Sequence, residues 1–467
     1  MSRPAVPDWL AVPADPNDLP SHVWPAASGR TGDGALEIAG VSARGLAEEF
    51  GTPLYVLDEG EVRARARRTL AAFRAAAGRH GTDARVYYAG KAFLSTEIVR
   101  WVLEEGLGVD VASPGELSVA LAAGADPARL GYHGNNKSAA ALRHAVDIGI
   151  GSIVVDSLDE IARLADATAD RDESQRVLIR VNTGIHAETH DFLATAHEDQ
   201  KFGFSPDGAR EAAARIRSVP GLDLVGLHCH IGSQIFGAEG FAASAARLVA
   251  LHAELRIDGE LPVMNLGGGF GIAYTRVDAP AEIEDIADRI VDAVATACAA
   301  LEVPVPALAF EPGRSIVGPA GVTLYEVGTV KPVALDGGLV RTYVSVDGGM
   351  SDNARPALYG AQYSARVASR VSDAAPALAR VVGSHCESGD IVVDADYLPA
   401  DIAPGDLLAV PATGAYCFSL SSNYNYAPRP AVVAVREGRA RVIVRGETVD
   451  DLLARDVGTT SATKGKA

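Results

Sequence analysis

The chain has 467 residues with 60 acidic and 42 basic side chains, which gives a formal net charge of −18, and 48% of its residues are hydrophobic. This length suffices for two domains with sizeable cores, and the negative balance argues against nucleic acid or an anionic membrane as a partner. No apolar run is long enough to span a bilayer. Four widely spaced cysteines and the lack of a signal-peptide pattern after Met1 indicate a cytoplasmic protein with reduced thiols.

The N-terminal segment, residues 1–59, is predicted to be an arm followed by one strand. Residues 1 to about 35 are rich in Pro, Asp and Gly, so we expect a loose arm there. A helix should end near Gly51 and Pro53, because both residues are stop signals. The strand Leu54–Leu57 follows, and it is expected to join the C-terminal β domain.

Residues 60–319 show short apolar strands that alternate with Ala-rich amphipathic helices. Eight such strands predict a (β/α)₈ TIM barrel; a doubly wound open sheet is the alternative. The predicted strands are Val86–Tyr88, Gly108–Val111, Leu130–His133, Ser152–Val155, Val177–Val181, Leu224–His228, Val263–Leu266 and Ala307–Phe310. The predicted helices between them include Pro114–Ala123, Ala139–Ile148, Leu158–Thr168, Asp207–Ser218, Phe241–Leu255 and Ala281–Ala299.

Residues 320–455 change to β-branched strands with turn signals, which predicts an antiparallel β-sandwich or barrel. Glu437–Arg439 is a typical hairpin turn. The tail 456–467, composed largely of Gly, Ser, Thr and Lys, is expected to be disordered.

A ring of polar residues follows the barrel strands, where the chemistry of this fold is located. Lys91 is the most informative of them, because an ammonium buried without a partner costs several kcal/mol, whereas a lysine that ends a strand can attack a carbonyl carbon. The plain alternative is a lysine with its head in solvent. The other residues of this ring are Asp110, Asn135, Asp156, Asn182, His230, Gly267 to Gly269 and Glu311 to Arg314.

Three constellations at the ends of strands six to eight indicate a phosphorylated aromatic cofactor. The glycines at 267–269 and Gly313 expose backbone N–H groups that can cradle a phosphate. His228 and His230 alternate onto one face; they could bind a metal, but no carboxylate is spaced to complete a site, so no metal is predicted, and a flat imidazole could instead stack on a ring. Glu311 could pair with a ring nitrogen of an electron-sink cofactor, or with Arg314.

With these motifs the chain resembles the diaminopimelate decarboxylase family of the alanine-racemase-like (fold type III) pyridoxal-phosphate enzymes. The resemblance runs from about residue 45 to 435. The matching motifs are Tyr88–Lys91, His228–Gln234, Gly267–Gly271, Glu311–Arg314, Val346–Met350, Arg355–Tyr359, Cys386–Asp390 and Gly414–Tyr416. One departure is Glu188, where we expect histidine, in a segment near His190 that we expect to be a mobile loop.

The resemblance implies a role for each matching position. Lys91 would bind pyridoxal 5′-phosphate covalently, His230 would stack on its ring and Glu311 would pair with the ring nitrogen. The catalytic set would be Lys91, Cys386 and His230. The phosphate end would be surrounded by Ser233, Gly268, Gly269, Gly313 and Arg314, with Tyr416 also touching the cofactor. The substrate would be held by Arg314, Arg355, Tyr359, Glu387 and Tyr416. Cys386 and Glu387 would come from the partner subunit, so a homodimer is implied.

The implied reaction is decarboxylation of meso-2,6-diaminopimelate to L-lysine and CO₂, the last step of lysine biosynthesis. Arg314 and Arg355 can grip a far carboxylate bidentately, and Glu387 can pair with the far ammonium. This set favours a zwitterionic far end over the bare ammonium of ornithine. The alternative for Arg355 is a surface charge.

Three other functions remain as alternatives. Decarboxylases of the same fold act on other basic amino acids such as ornithine, arginine or carboxynorspermidine. A non-catalytic pyridoxal-phosphate carrier would not need the C-terminal β domain. An amino-acid racemase would need a second base from the β domain, and Tyr416 could be mistaken for that base.

Overall fold

The computed structural model describes residues 6–185 and 201–458. Glu188 and His190 of the predicted loop, and all but the first three residues of the predicted disordered tail, therefore lie outside the described residues. The described chain divides into two compact units. A β unit holds the residues up to Glu61, Ala273–Asp278 and the residues from Val317 onward, and a barrel unit holds Val62–Ile272 and Ala279–Ile316.

The N-terminal residues contribute to the core of the β unit, so the expectation of a loose arm is wrong from Val23 onward. Val23 and Trp24 are buried in one apolar cluster with Leu36 and Leu54, and the Pro- and Gly-rich composition belongs to the turns between short strands. The N-terminal elements are β1 (Ser28–Arg30), β2 (Leu36–Ile38), β3 (Val41–Ser42), α1 (Ala43–Phe50) and β4 (Leu54–Asp58).

The barrel unit closes as predicted. Each strand pairs in parallel with the next, and the last pairs with the first through Phe310 and Val86. The doubly wound alternative is therefore wrong. The strands are β5 (Ala84–Ala89), β6 (Gly108–Val111), β7 (Leu130–Tyr132), β8 (Ser152–Val155), β9 (Gln175–Arg180), β10 (Leu222–His228), β11 (Val263–Asn265) and β12 (Ala307–Phe310).

Serine residues begin five of the barrel helices. In each case the serine Oγ accepts a hydrogen bond from the backbone N–H three residues later, which satisfies a donor that the helix itself leaves unpaired. These serines are Ser95, Ser113, Ser138, Ser157 and Ser205. The helices are α2 (Glu59–Arg79), α3 (Thr96–Glu104), α4 (Pro114–Ala122), α5 (Ala139–Asp147), α6 (Leu158–Thr168), α7 (Pro206–Arg217), α8 (Glu239–Leu255), α9 (Ile283–Ala300) and α10 (Arg314–Val317).

The β unit is mostly antiparallel, and the N-terminal strand β4 lies within its sheet. β4 is paired with β13 on one side and β19 on the other. Two pairs, β4 with β19 and β14 with β16, are parallel, because long connections return the chain in its original direction. The remaining elements are β13 (Gly321–Ala334), β14 (Val340–Val346), α11 (Arg355–Tyr359), β15 (Arg366–Val367), β16 (Pro376–Val382), β17 (Ile391–Pro399), β18 (Leu407–Pro411), β19 (Val432–Arg436), β20 (Arg439–Val444) and α12 (Val449–Leu453).

A short segment, Ala273–Asp278, leaves the barrel sequence and belongs to the β unit. Ala273 is buried in the apolar cluster of that unit, and the ring of Tyr274 lies under the guanidinium of Arg355. The sequence analysis placed this segment in the barrel because it falls between strands seven and eight. Over the described residues, every helix is too short or too polar to span a bilayer.

Candidate active site

Lys91 lies directly after β5, in a single helical turn formed by Gly90–Ala92. Its side chain is exposed, so the ammonium is accessible to a small molecule at this end of the barrel. Gly90 is required by close packing, because a Cβ at this position would come within 2.9 Å of the Asp110 carbonyl oxygen. The neighbouring strand therefore fixes the backbone that carries the lysine.

The Glu311 carboxylate, which follows β12, is surrounded by neutral hydrogen-bond donors. Asn265 Nδ2 donates to Oε1 over 2.7 Å, and the Nε2 atoms of His228 and His133 lie 3.2 and 3.4 Å from the same oxygen. Burial lowers the pKa of each histidine to about 4, so both are uncharged at neutral pH. Burial alone would raise the pKa of Glu311, but these imidazoles hold it well below its usual range, and the carboxylate is ionised.

The argument that no carboxylate could complete a metal site with the histidines is wrong. Glu311 supplies one, and its ligand atom lies within 4.8 Å of those of His133 and His228. Sequence spacing could not reveal this cluster because its members come from three different strand ends. The same contacts are accounted for by hydrogen bonds to a buried carboxylate, and the absence of a metal stays a prediction.

His230 is fixed by the glycine loop that follows β11. The Gly268 N–H points at His230 Nδ1 over 3.4 Å, and burial lowers the pKa of His230 well below its ordinary value, so the ring is neutral. Gly267 has φ +65°, and a Cβ there would stand 3.0 Å from the same nitrogen. The loop therefore holds the Nδ1 edge of a flat, uncharged imidazole in place.

The loops after β10, β11 and β12 meet, as the predicted phosphate site requires. Arg314 Nη2 donates to Ser233 Oγ over 2.8 Å. A Cβ at Gly268 would lie 2.0 Å from the Glu311 carbonyl oxygen, and one at Gly269 would lie 2.3 Å from the Gly232 carbonyl oxygen. Bare backbone at these positions lets three loops converge beside an arginine, which is a donor set suited to an oxyanion.

The other predicted site residues lie in the β unit. Arg355 is buried, its Nη1 donates to the Tyr363 hydroxyl, and its guanidinium carbon lies 4.7 Å from the centre of the Tyr274 ring. The alternative of a surface charge is therefore wrong. Tyr359 is 67% exposed, and Cys386 is an exposed free thiol.

The loop that carries Cys386 and Glu387 is anchored at both ends by Asp390. This buried carboxylate accepts hydrogen bonds from the backbone N–H groups of Met350 and His385, over 2.6 and 2.8 Å. Glu387 itself is exposed. Tyr416, the remaining predicted residue of this unit, has φ +65°, which is rare outside glycine and typical of functional sites.

A pH dependence of folding arises at Asp352, which is buried beside this anchor. Burial, with the nearby Asp390 and Asp347, raises its pKa to about 7, although it accepts hydrogen bonds from the Tyr325 hydroxyl and the Gly349 N–H. An aspartate in an unfolded chain has a pKa of about 3.9. The folded state therefore binds the proton more tightly, and the stabilising contribution of Asp352 is fully present below about pH 4 and is lost as the pH rises from 4 through 7.

We accordingly expect Asp352→Asn to reduce the loss of stability between about pH 4 and pH 7, by at most about 1.4 kcal/mol per pH unit. Urea denaturation at several pH values measures this slope. Glu49→Gln, at an exposed helix position, serves as the control and should keep the wild-type slope. An unchanged slope in the Asp352 variant would contradict the assignment.

Four polar residues of the barrel were missed by the sequence analysis. His133 was treated only as the last residue of a strand, and Asn265 was read as part of an apolar strand. The buried pair of Lys137 and Glu160, whose Nζ and Oε1 atoms are 2.6 Å apart, was not noticed. A polar residue at the end of a barrel strand was an available signal for the first two.

Comparisons with known proteins identify the family of the chain. The family model described as pyridoxal-dependent decarboxylase, pyridoxal binding domain, matches residues 59–318. The diaminopimelate decarboxylase of Corynebacterium efficiens is 51% identical over 447 residues, covering 94% of this chain and 95% of the relative. That of Bacillus subtilis is 45% identical over 428 residues, covering 91% and 95%.

A solved structure of diaminopimelate decarboxylase from M. jannaschii superimposes with a TM-score of 0.86 at 31% identity, covering 93% of this chain and 98% of that chain. Both the barrel and the β unit are therefore shared. The extent of these matches shows that this chain belongs to the diaminopimelate decarboxylase family of pyridoxal-dependent decarboxylases.

Proposed function

We propose that this enzyme decarboxylates meso-2,6-diaminopimelate to L-lysine and CO₂ with pyridoxal 5′-phosphate as cofactor, in the last step of lysine biosynthesis. The observation that carries the proposal is the ionised Glu311 carboxylate held by neutral donors at the end of the barrel that also bears Lys91. When bound, the cofactor supplies an electron sink for the bond that breaks. The converging glycine loops and Arg314 fit its phosphate, because the lack of a Cβ at Gly268 and Gly269 lets these loops pack closely together beside the Arg314 guanidinium.

The barrel residues bind and orient the cofactor in this proposal. Lys91 attaches it covalently, and the neutral His230 packs against its ring. Glu311 accepts a hydrogen bond from the ring nitrogen and stabilises positive charge there. The phosphate end is held by Ser233, Gly268, Gly269, Gly313 and Arg314.

The residues of the β unit recognise the substrate. Arg355 binds the far carboxylate together with Arg314 of the barrel unit, Glu387 binds the far ammonium, and Tyr359 and Tyr416 contact the substrate. We further propose a homodimer in which Cys386 and Glu387 act in the partner's site, consistent with the exposure of both residues. A cytoplasmic location suits a biosynthetic enzyme with free cysteines.

We expect Arg355→Gln to raise the KM for meso-diaminopimelate by about 10- to 100-fold, because one charge-assisted hydrogen bond contributes about 1.5–3 kcal/mol. The far carboxylate does not change during the reaction, so the loss of its contact with Arg355 should affect KM more than kcat. Steady-state kinetics measures both constants. Arg439→Gln, at an exposed position of β20, is the matched control. A fall in kcat with an unchanged KM would place Arg355 at the reacting end instead.

The function is tested by CO₂ release from the purified protein supplied with pyridoxal phosphate. We expect release from meso-diaminopimelate, with formation of lysine, and none from L-ornithine or L-arginine. Release from ornithine or arginine would keep the chemistry and overturn the substrate. Absence of release from all three would favour carboxynorspermidine as the substrate, racemisation or a carrier role. Supplying carboxynorspermidine tests the first of these, following the stereochemistry of the amino acid tests the second, and measuring cofactor transfer tests the third.

A further inference from the structure

Two buried carboxylates contact one imidazole nitrogen at the end of the barrel. His133 Nε2 lies 3.3 Å from Asp110 Oδ1 and 3.4 Å from Glu311 Oε1. Asp110 lies in β6, His133 comes directly after β7 and Glu311 comes directly after β12. The barrel itself therefore sets this arrangement. A single nitrogen either donates or accepts one hydrogen, and it cannot fully satisfy two charged carboxylates.

The two carboxylates differ in their other partners. Glu311 also receives the Asn265 amide and the His228 imidazole. Asp110 Oδ2 is buried and has no hydrogen-bond partner among the described residues. An ionised carboxylate with an unpaired buried oxygen is costly, whereas a protonated one carries no charge to desolvate.

We propose that the Asp110 and Glu311 carboxyl groups together carry a single proton, which resides on Asp110. Asp110 and His133 thereby act as positioning residues that keep Glu311 ionised. The three groups then carry two protons, one on the imidazole and one on Asp110, and a single negative charge on Glu311. When His133 Nε2 bears the imidazole hydrogen, it donates to the Glu311 carboxylate. When Nε2 is bare, it accepts a hydrogen bond from the protonated Asp110. Both tautomers keep the same total charge.

The surrounding charges favour this distribution. Burial and the nearby Glu311 raise the pKa of Asp110 well above its usual range; Lys91 opposes the shift and Glu116 adds to it. His133 faces the cations Arg180, Lys137 and Lys91, which disfavour a proton on both of its nitrogens. Glu311 would then offer a full negative charge to the ring nitrogen of the cofactor, a consequence that rests on the proposed function. The position of the proton on Asp110 does not rest on that function.

The test is an infrared measurement on the cofactor-free protein at about pH 9, above the pKa of about 7 of Asp352. Wild type should show the C=O band of a protonated carboxylic acid that shifts in D₂O. Asp110→Asn, which has the same shape and cannot ionise, should lose this band. Glu116→Gln neutralises the other nearby carboxylate and should retain it. Circular dichroism checks that each variant is folded.

Absence of the band in wild type, or its persistence in Asp110→Asn, would overturn the proposal. Because the infrared result requires neither cofactor nor substrate, failure of the CO₂ assay would leave it standing.

Discussion

Lys91→Ala is expected to lower the rate of CO₂ release from meso-diaminopimelate by about 10⁴-fold or more. This is the scale of loss seen when a covalent nucleophile is removed. Alanine cannot attack the cofactor's aldehyde, and the residue is exposed at the end of β5, so the fold should be preserved. Borohydride reduction followed by peptide mass spectrometry should find the cofactor on the peptide that contains Lys91 in wild type, and on no peptide in the variant.

Lys331→Ala provides a matched control, because Lys331 is an exposed lysine on β13. It should retain both the activity and the labelled Lys91 peptide. Activity of Lys91→Ala within about tenfold of wild type, or label on a different lysine in wild type, would show that Lys91 is not the attachment site.

Glu311→Gln is expected to reduce kcat/KM by about 10²- to 10³-fold, the usual effect of removing one preorganised electrostatic group. Glutamine keeps the shape and can still accept from Asn265, but it carries no charge to stabilise a protonated ring nitrogen. Two measurements check this: CO₂ release, and the pH titration of the absorbance of the bound cofactor, whose ring nitrogen should lose its proton at lower pH in the variant.

Glu260→Gln changes an exposed glutamate of the barrel unit in the same way and should have no effect on either measurement. Retention of wild-type kcat/KM by Glu311→Gln, with an unshifted absorbance titration, would mean that the ring nitrogen has another partner. It would also remove the functional reason for keeping a proton on Asp110, without changing where that proton lies.

The barrel was predictable because its signals are local. Four-residue strands such as Gly108–Val111 and Ser152–Val155 consist mainly of apolar residues, and both are found with the predicted bounds. Serines mark the start of five barrel helices, and the glycines at 267–269 mark the loop that follows β11. Since the barrel brings the carboxyl ends of all strands together, finding the strands also located Lys91, His230 and Glu311.

What could not be predicted depends on contacts between distant residues. The proximity of His133, Asp110 and Glu311 follows from the closure of the barrel, which joins β12 to β5. The burial of Arg355 depends on Tyr274, which lies 81 positions earlier in a segment that sequence pattern assigned to the barrel. Neither feature has a signal in local composition or periodicity.

The position of β4 has a consequence for how the protein is synthesised. This strand leaves the ribosome before any residue of the barrel, yet both of its sheet partners, β13 and β19, follow the barrel in the chain. The sheet of the β unit cannot be completed until about 375 further residues have been translated. Until then β4, which is apolar except for Asp58, has an unpaired edge, and such an edge can pair with another chain and cause aggregation.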